Sequence, residues 1–233
     1  MKYLINYVLV LLALLIIGVS LIIRAGRTES KNLDEAYEYL NKFREYGNSI
    51  FKGKENYEAY EWLTMRGPKM QAKVGELGIA RGFIPPYSNI QYNTYQIIVN
   101  ALPTLRDEAR DPMRGYNSLQ NNIVQNYLTM IDDVLLRYIG RLENRLEDFK
   151  AQLKNPFIWL REGVQFFVQI PILLLYWSGL IKYATYYRFT NNIIIKFINF
   201  IIIVVGLISS IITIVTGYNP FMEIFNEYLG DLK

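Results

Sequence analysis

The chain contains no cysteine and no histidine. Without cysteine there is no disulfide to staple a core and no thiolate for catalysis or metal binding. Without histidine, a Ser-His-Asp triad, an imidazole general base, a typical zinc site and a histidine-ligated haem cannot be assembled from this chain. A phosphate-binding Walker loop, a dinucleotide glycine fingerprint, an HExxH helix and a GxSxG elbow are missing as well. Catalysis would be left to carboxylates, lysine, serine, threonine or tyrosine. The acidic pairs Asp132-Asp133 and Asp107-Glu108 do not fill that gap, because adjacent residues on a helix face different directions and make no acid/base dyad. The expectation is a non-enzymatic protein with no catalytic residue, no cofactor and no metal.

A strong charge of one sign is also lacking. Lysine and arginine number 25 against 21 acids, for a net charge of +4. The excess is small and scattered, so no nucleic-acid surface is expected. Arg137, Arg141 and Arg145 make a ridge at helical steps, but Glu143, Glu147 and Asp148 interrupt it, and it reads as a solvated face. No internal repeat and no low-complexity linker occurs.

What the chain does have is long apolar runs. Three stretches, at about residues 3–23, 164–181 and 197–216, are each about long enough to cross a bilayer at 1.5 Å rise per residue. The first ends at Arg24 and Arg27 and reads as a retained anchor, since it is longer than the core of a cleaved signal peptide. The second is announced by Asn155-Pro156, a capping residue followed by a proline suited to a first helical turn. Trp159, Arg161 and Glu162 suit a headgroup zone, and Gln165 and Gln169 then share one face within the apolar run. Pro171 removes a backbone hydrogen bond in that run. The third stretch carries Asn199 and a small-residue face of Gly206, Ser210 and Thr213, which allows close helix packing. Gln165, Gln169, Asn199, Gly206, Ser210 and Thr213 are the candidate intramembrane polar and packing residues. The chain has nineteen tyrosines and twelve phenylalanines, and Tyr176, Trp177, Tyr183, Tyr186 and Tyr187 make an aromatic belt beside the second stretch.

The region between the first two stretches predicts helices. Asn32 and Glu35 resemble a capping box, followed by Leu33, Tyr37, Leu40 and Phe43 at helical spacing up to Gly47. A second helix is expected over about 56–74, with Gly67-Pro68 breaking or kinking it. Residues 90–102 carry both helix and strand signals and are taken as helix for want of a second strand. The strongest pattern runs from about 117 to 153, where Ile123, Tyr127, Met130, Val134, Tyr138, Leu142, Leu146, Phe149 and Leu153 step by three or four. Ile131, Leu135 and Ile139 widen that stripe, which argues for a bundle rather than an isolated coiled pair. Between these helices lies a segment rich in proline and aromatic rings. Phe83, Ile84, Tyr87, Tyr92 and Tyr95 are its candidate partner-binding residues, the competing role being a loop folded back over the core.

The expected fold class is an all-α membrane protein with three transmembrane helices and a helical-bundle extramembrane domain between the first and second. The division is 1–24 anchor, 25–154 helical domain, 155–218 membrane hairpin and 219–233 polar tail. Lys182, Arg188 and Lys196 lie in the short 182–196 loop, which favours placing it in the cytoplasm. The N-terminus then lies inside, and the helical domain and C-terminus outside, a multi-pass cell-membrane protein. Its expected partners are the lipid bilayer and a protein partner or a second copy, in the role of scaffold or accessory subunit. A small oligomeric pore is the alternative, and membrane-bound carboxylate, serine or lysine chemistry a distant third.

Overall fold

A computed structural model describes residues 2–86, 88–110 and 118–182, together with 184, 192, 197, 200, 201 and 205. The chain is mostly helical and divides into two compact units, residues 25–149 and residues 1–24 with 150–233. Helix α1 spans Lys2–Phe51, 50 residues without a break. The expected helix start at Asn32 is therefore corrected. Residues 24–31 contain no proline and mostly helix-compatible side chains, so the chain has no reason to leave the helix there. Asn32 spends its amide differently: Nδ2 donates to Glu29 at 3.2 Å, and Oδ1 accepts from Lys73 at 2.8 Å. Gly47 does not stop the helix either; it is buried against Leu128. The stop is at Gly53, whose φ of +70° is readily adopted only by glycine.

Helix α2 (Tyr57–Val74) starts where expected, with Asn56 accepting a hydrogen bond from the Ala59 N–H at 3.1 Å. Pro68 lies inside this helix, so Gly67-Pro68 does not end it. A 3-10 turn at Gly75–Gly78 leads into β1 (Ile79–Ala80), which pairs antiparallel with β2 (Tyr95–Gln96). This corrects the reading of 90–102 as helix: a second strand exists, upstream, and the helix begins only at Ile97. Helix α3 (Ile97–Arg110) and helix α4 (Ser118–Gln152) complete the unit.

The core of residues 25–149 draws on all four helices. Its largest sealed side chains include Tyr39, Phe43 and Tyr46 from α1, Leu63 from α2, Ile98 and Leu105 from α3, and Ile131, Leu135 and Leu142 from α4. On α4 the main stripe and its widening row are buried from Ile123 to Leu142 except at Met130, which is half-buried, as are Leu146 and Phe149 further along. A stripe this wide is what a helix needs to meet more than one neighbour. Ion pairs rim the core. Glu35 accepts from Lys69 and Lys73, each at 2.7 Å, and Glu55 accepts from Arg106 and Arg110 at 3.0 and 2.8 Å. The Arg106 guanidinium also lies 4.2 Å from the centre of the Tyr60 ring. Asp132, of the Asp132-Asp133 pair, holds Arg44 through both carboxylate oxygens at 2.8 and 3.0 Å.

In the other unit, α1 contributes an apolar N-terminal half. Among the described residues α1 is the one helix long and apolar enough to cross a membrane. Helix α5 spans Pro156–Trp177, capped by the Asn155 side chain on the Phe157 N–H at 3.0 Å, and it continues through Pro171. The Trp159 indole N–H donates to the Gln152 carbonyl at 3.1 Å, which also accepts from the Asn155 N–H at 3.1 Å where α4 ends.

Helices α1 and α5 touch backbone to backbone. A Cβ on Gly18 would overlap the carbonyl of Trp159, and a Cβ on Gly163 would overlap the carbonyl of Leu14. The pairing is reciprocal and antiparallel, one turn on each helix. Only glycine permits helices this close. The small-residue contact expected at Gly206, Ser210 and Thr213 lies outside the described residues, as does Asn199.

Candidate functional site

The proline- and aromatic-rich segment is held at its base by one buried polar side chain, Gln71, which is 7% exposed. Its Nε2 donates to the Gly78 carbonyl at 3.0 Å, and its Oε1 accepts from the Ile98 N–H at 2.9 Å. The Ile98 N–H belongs to the first turn of α3, where no intrahelical acceptor exists. Gln71 therefore caps α3 from a different helix and also fixes the turn after α2. Gly78 has no room for a side chain, since a Cβ would come 2.6 Å from Gln71 Nε2.

From this base the two arms run side by side. Beyond the β1–β2 pair, Phe83 and Tyr92 exchange both backbone hydrogen bonds, at 3.0 and 2.8 Å. The Phe83 ring stacks at 4.3 Å on Tyr95 and meets Tyr127 of α4 edge-on at 6.5 Å, while Tyr92 meets Tyr95 at 5.9 Å. Tilted and edge-on contacts of this kind are the favoured aromatic geometries. The expected residues thus divide. Tyr95 is buried and Phe83 half-buried, in the folded-back role. Ile84, Ile90 and Tyr92 are 54%, 62% and 43% exposed and form an apolar rim. Tyr87 lies outside the described residues.

Against α4 the segment leaves a groove of about 220 Å³, lined by Phe83, Ile84, Pro86, Ile123, Asn126, Tyr127 and Met130. The Tyr127 hydroxyl is buried and has no hydrogen-bond partner among the described residues, and burial pushes its pKa up to about 12. It remains a neutral donor at any physiological pH. The groove offers dispersion contacts with few polar groups, a geometry suited to an apolar side chain rather than to proton transfer or metal binding. No cluster of three acids able to hold a metal ion occurs among the described residues.

A separate cleft of about 330 Å³ opens between α1 and α2, lined by Glu35, Glu38, Tyr39, Trp62, Arg66, Lys69, Met70 and Lys73. Its charges are largely engaged already: Glu35 takes two lysines, and Arg66 lies 4.1 Å from the Trp62 ring centre.

On α5, Gln165 and Gln169 are each half-buried and one turn apart. The sequence had named these residues and the aromatic segment as candidates. It missed Gln71, which as one glutamine on an otherwise amphipathic helix carries no motif, and the Gly18–Gly163 crossing, which is one small residue in each of two apolar runs. The chain matches no protein-family model, no curated protein and no solved structure.

Proposed function

We propose that the protein is a non-enzymatic integral membrane scaffold or accessory subunit whose helical domain receives a protein partner on the aromatic segment. The observation that carries this reading is the exposed rim of Ile84, Ile90 and Tyr92 on a rigidly stacked support of Phe83, Tyr95 and Tyr127. Preordered apolar and aromatic side chains lose little entropy on binding and form the usual anchors of a protein interface. The rest of the proposal follows the sequence: spans at 3–23, 164–181 and 197–216, a bundle of the four helices between the first two, the N-terminus inside, and the helical domain and C-terminus outside.

The test is site-specific photo-cross-linking in the full-length membrane protein. A probe at Ile84 or Tyr92 is expected to capture one and the same protein. A probe at Leu136, an exposed apolar residue of α4, is expected to capture none. Equal capture at all three positions, or none at Ile84 and Tyr92, removes the reading. The alternative of a small oligomeric pore draws on Gln165 and Gln169, and liposome flux that falls on Gln169→Leu is its signature.

A further inference from the structure

In a chain where 20% of residues are charged, none is charged between Arg81 and Arg106 or between Arg114 and Asp132. These two stretches meet in space. Phe83, Ile84 and Pro86 of the first and Ile123, Tyr127 and Met130 of the second line the same groove. Burial does not explain the missing charge. Asn89, Gln91, Asn93, Gln96 and Asn100 are exposed in the first stretch, and Asn122, Gln125, Asn126 and Thr129 in the second. The contrast is sharpest along α4. Its exposed residues from 121 to 129 are all neutral, whereas Asp133, Arg137, Arg141, Glu143, Arg145 and Glu147 are exposed further along.

Charged side chains keep an exposed surface soluble, so a surface that stays wet has no reason to lack them. The reason arises where water is later excluded. An unpaired charge left in such a place is costly, and charged side chains are depleted from the centres of interfaces. Tyrosine and asparagine are by contrast adaptable contact residues of binding loops. Asn89, Tyr92 and Asn93 supply that chemistry beside the exposed Ile84 and Ile90.

We propose that this face receives an uncharged, extended segment of the partner polypeptide, with one apolar side chain in the groove and the main chain bonded by the surrounding amides. Size limits the occupant of the groove. Drug-sized ligands fill about 300–1,000 Å³, and the groove of about 220 Å³ suits a single side chain. Its lining includes one amide, Asn126, which is exposed. An amide is donor and acceptor at once and so matches the N–H and C=O of a peptide group. Those groups are available on an extended segment, whereas a helix spends them on itself. The segment is neutral because this face has no ion to pair with a charge that it desolvates. A membrane surface fits the face less well. Anionic headgroups call for lysine or arginine, and amides pushed into hydrocarbon would lose their partners. The proposal rests on the reading of the aromatic segment as the partner surface and names the chemistry of what binds there.

The test uses the full-length protein in detergent and three sets of short fluorescent peptides with a central leucine. The flanking positions are serine, threonine and asparagine in the first set, aspartate and glutamate in the second, and lysine and arginine in the third. By fluorescence anisotropy the neutral set is expected to bind roughly tenfold more tightly than either charged set. Its affinity should hold up to about 1 M salt, where charges are screened beyond about 3 Å. Replacing its leucine by glycine should remove binding. Asn126→Asp and Asn126→Lys should each weaken the neutral set roughly tenfold, because a charge of either sign is covered without a partner. Asn126 is exposed in the free protein, so both variants are expected to fold. The proposal is overturned by opposite responses to the two substitutions, by charged peptides that bind as well as neutral ones, by loss of affinity in salt, by no binding of any set, or by cross-linking of position 92 to lipid. Failure of the underlying reading shows separately, as no protein captured by the probes at Ile84 and Tyr92. Capture there without preference for neutral peptides overturns this proposal alone.

Discussion

Single polar side chains carry more of this fold than their number suggests. Gln71 bonds a carbonyl and an N–H from two different elements, and both groups are buried with it. Gln71→Met keeps the shape and strands both groups, which should destabilise the helical domain by about 2–4 kcal/mol, read as a lower midpoint in denaturant. Glu35 is the clearest source of pH dependence. Its hydrogen bonds from Lys69 and then Lys73 bring its carboxyl from about 4.5 down to about 2. The folded state thus holds fewer protons than the unfolded state below the ordinary carboxylate range. The stabilisation is complete above about pH 5 and is lost as pH falls toward about 2. Thermal unfolding followed across that window should show the loss, and Glu35→Gln should flatten it while lowering stability at neutral pH.

Among the elements, those announced by chemistry at their ends were legible in sequence, and those defined by pairing at a distance were not. Asn56 and Asn155-Pro156 mark the starts of α2 and α5 within a residue, and the α4 stripe was visible because ten buried positions repeat one period. Asn32 misled because a capping box is a pattern of side chains that mid-helix residues also satisfy when their partners lie on another helix. The two-residue strands have no period to read, and β1 is hidden among glycines. At the candidate site, aromatic composition pointed to Phe83 and Tyr95, but only the fold separates the supporting rings from the exposed Ile84 and Tyr92. Two glycines at helix centres make opposite predictions. Gly163→Leu would drive a side chain into the Leu14 backbone, and it should destabilise the protein in detergent by about 3 kcal/mol or more. Gly140→Ala on α4 meets nothing within 4 Å and should stabilise the domain by up to about 1 kcal/mol of helix propensity, read as a higher melting temperature.

At the scale of the whole molecule, two apolar masses have to be accounted for. One is sealed inside residues 25–149, where tyrosine, phenylalanine and aliphatic side chains close a core without disulfides. The other is exposed on α1 from Val8 to Leu12 and at Ile16, and on α5 at Phe167, Leu174 and Leu175. Exposed rows of large aliphatic residues are what a lipid-facing surface presents. Removing residues 2–24 separates a one-span protein from a multi-span one. With spans at 164–181 and 197–216 the shortened protein stays in the membrane after carbonate washing. With α1 alone as the span it is released.

The notch at Gly18 also has a timetable. Its counterpart, Gly163, is made 145 residues later in the same chain. At ordinary synthesis rates of about 5–20 residues per second, that interval is about 7 to 30 seconds. For that time the close-packing surface at Gly18 has no counterpart, because its occupant is not yet made. Any other helix with a small residue at the right level can enter it first. The crossing that later joins the two helices is, during synthesis, a temporary vacancy.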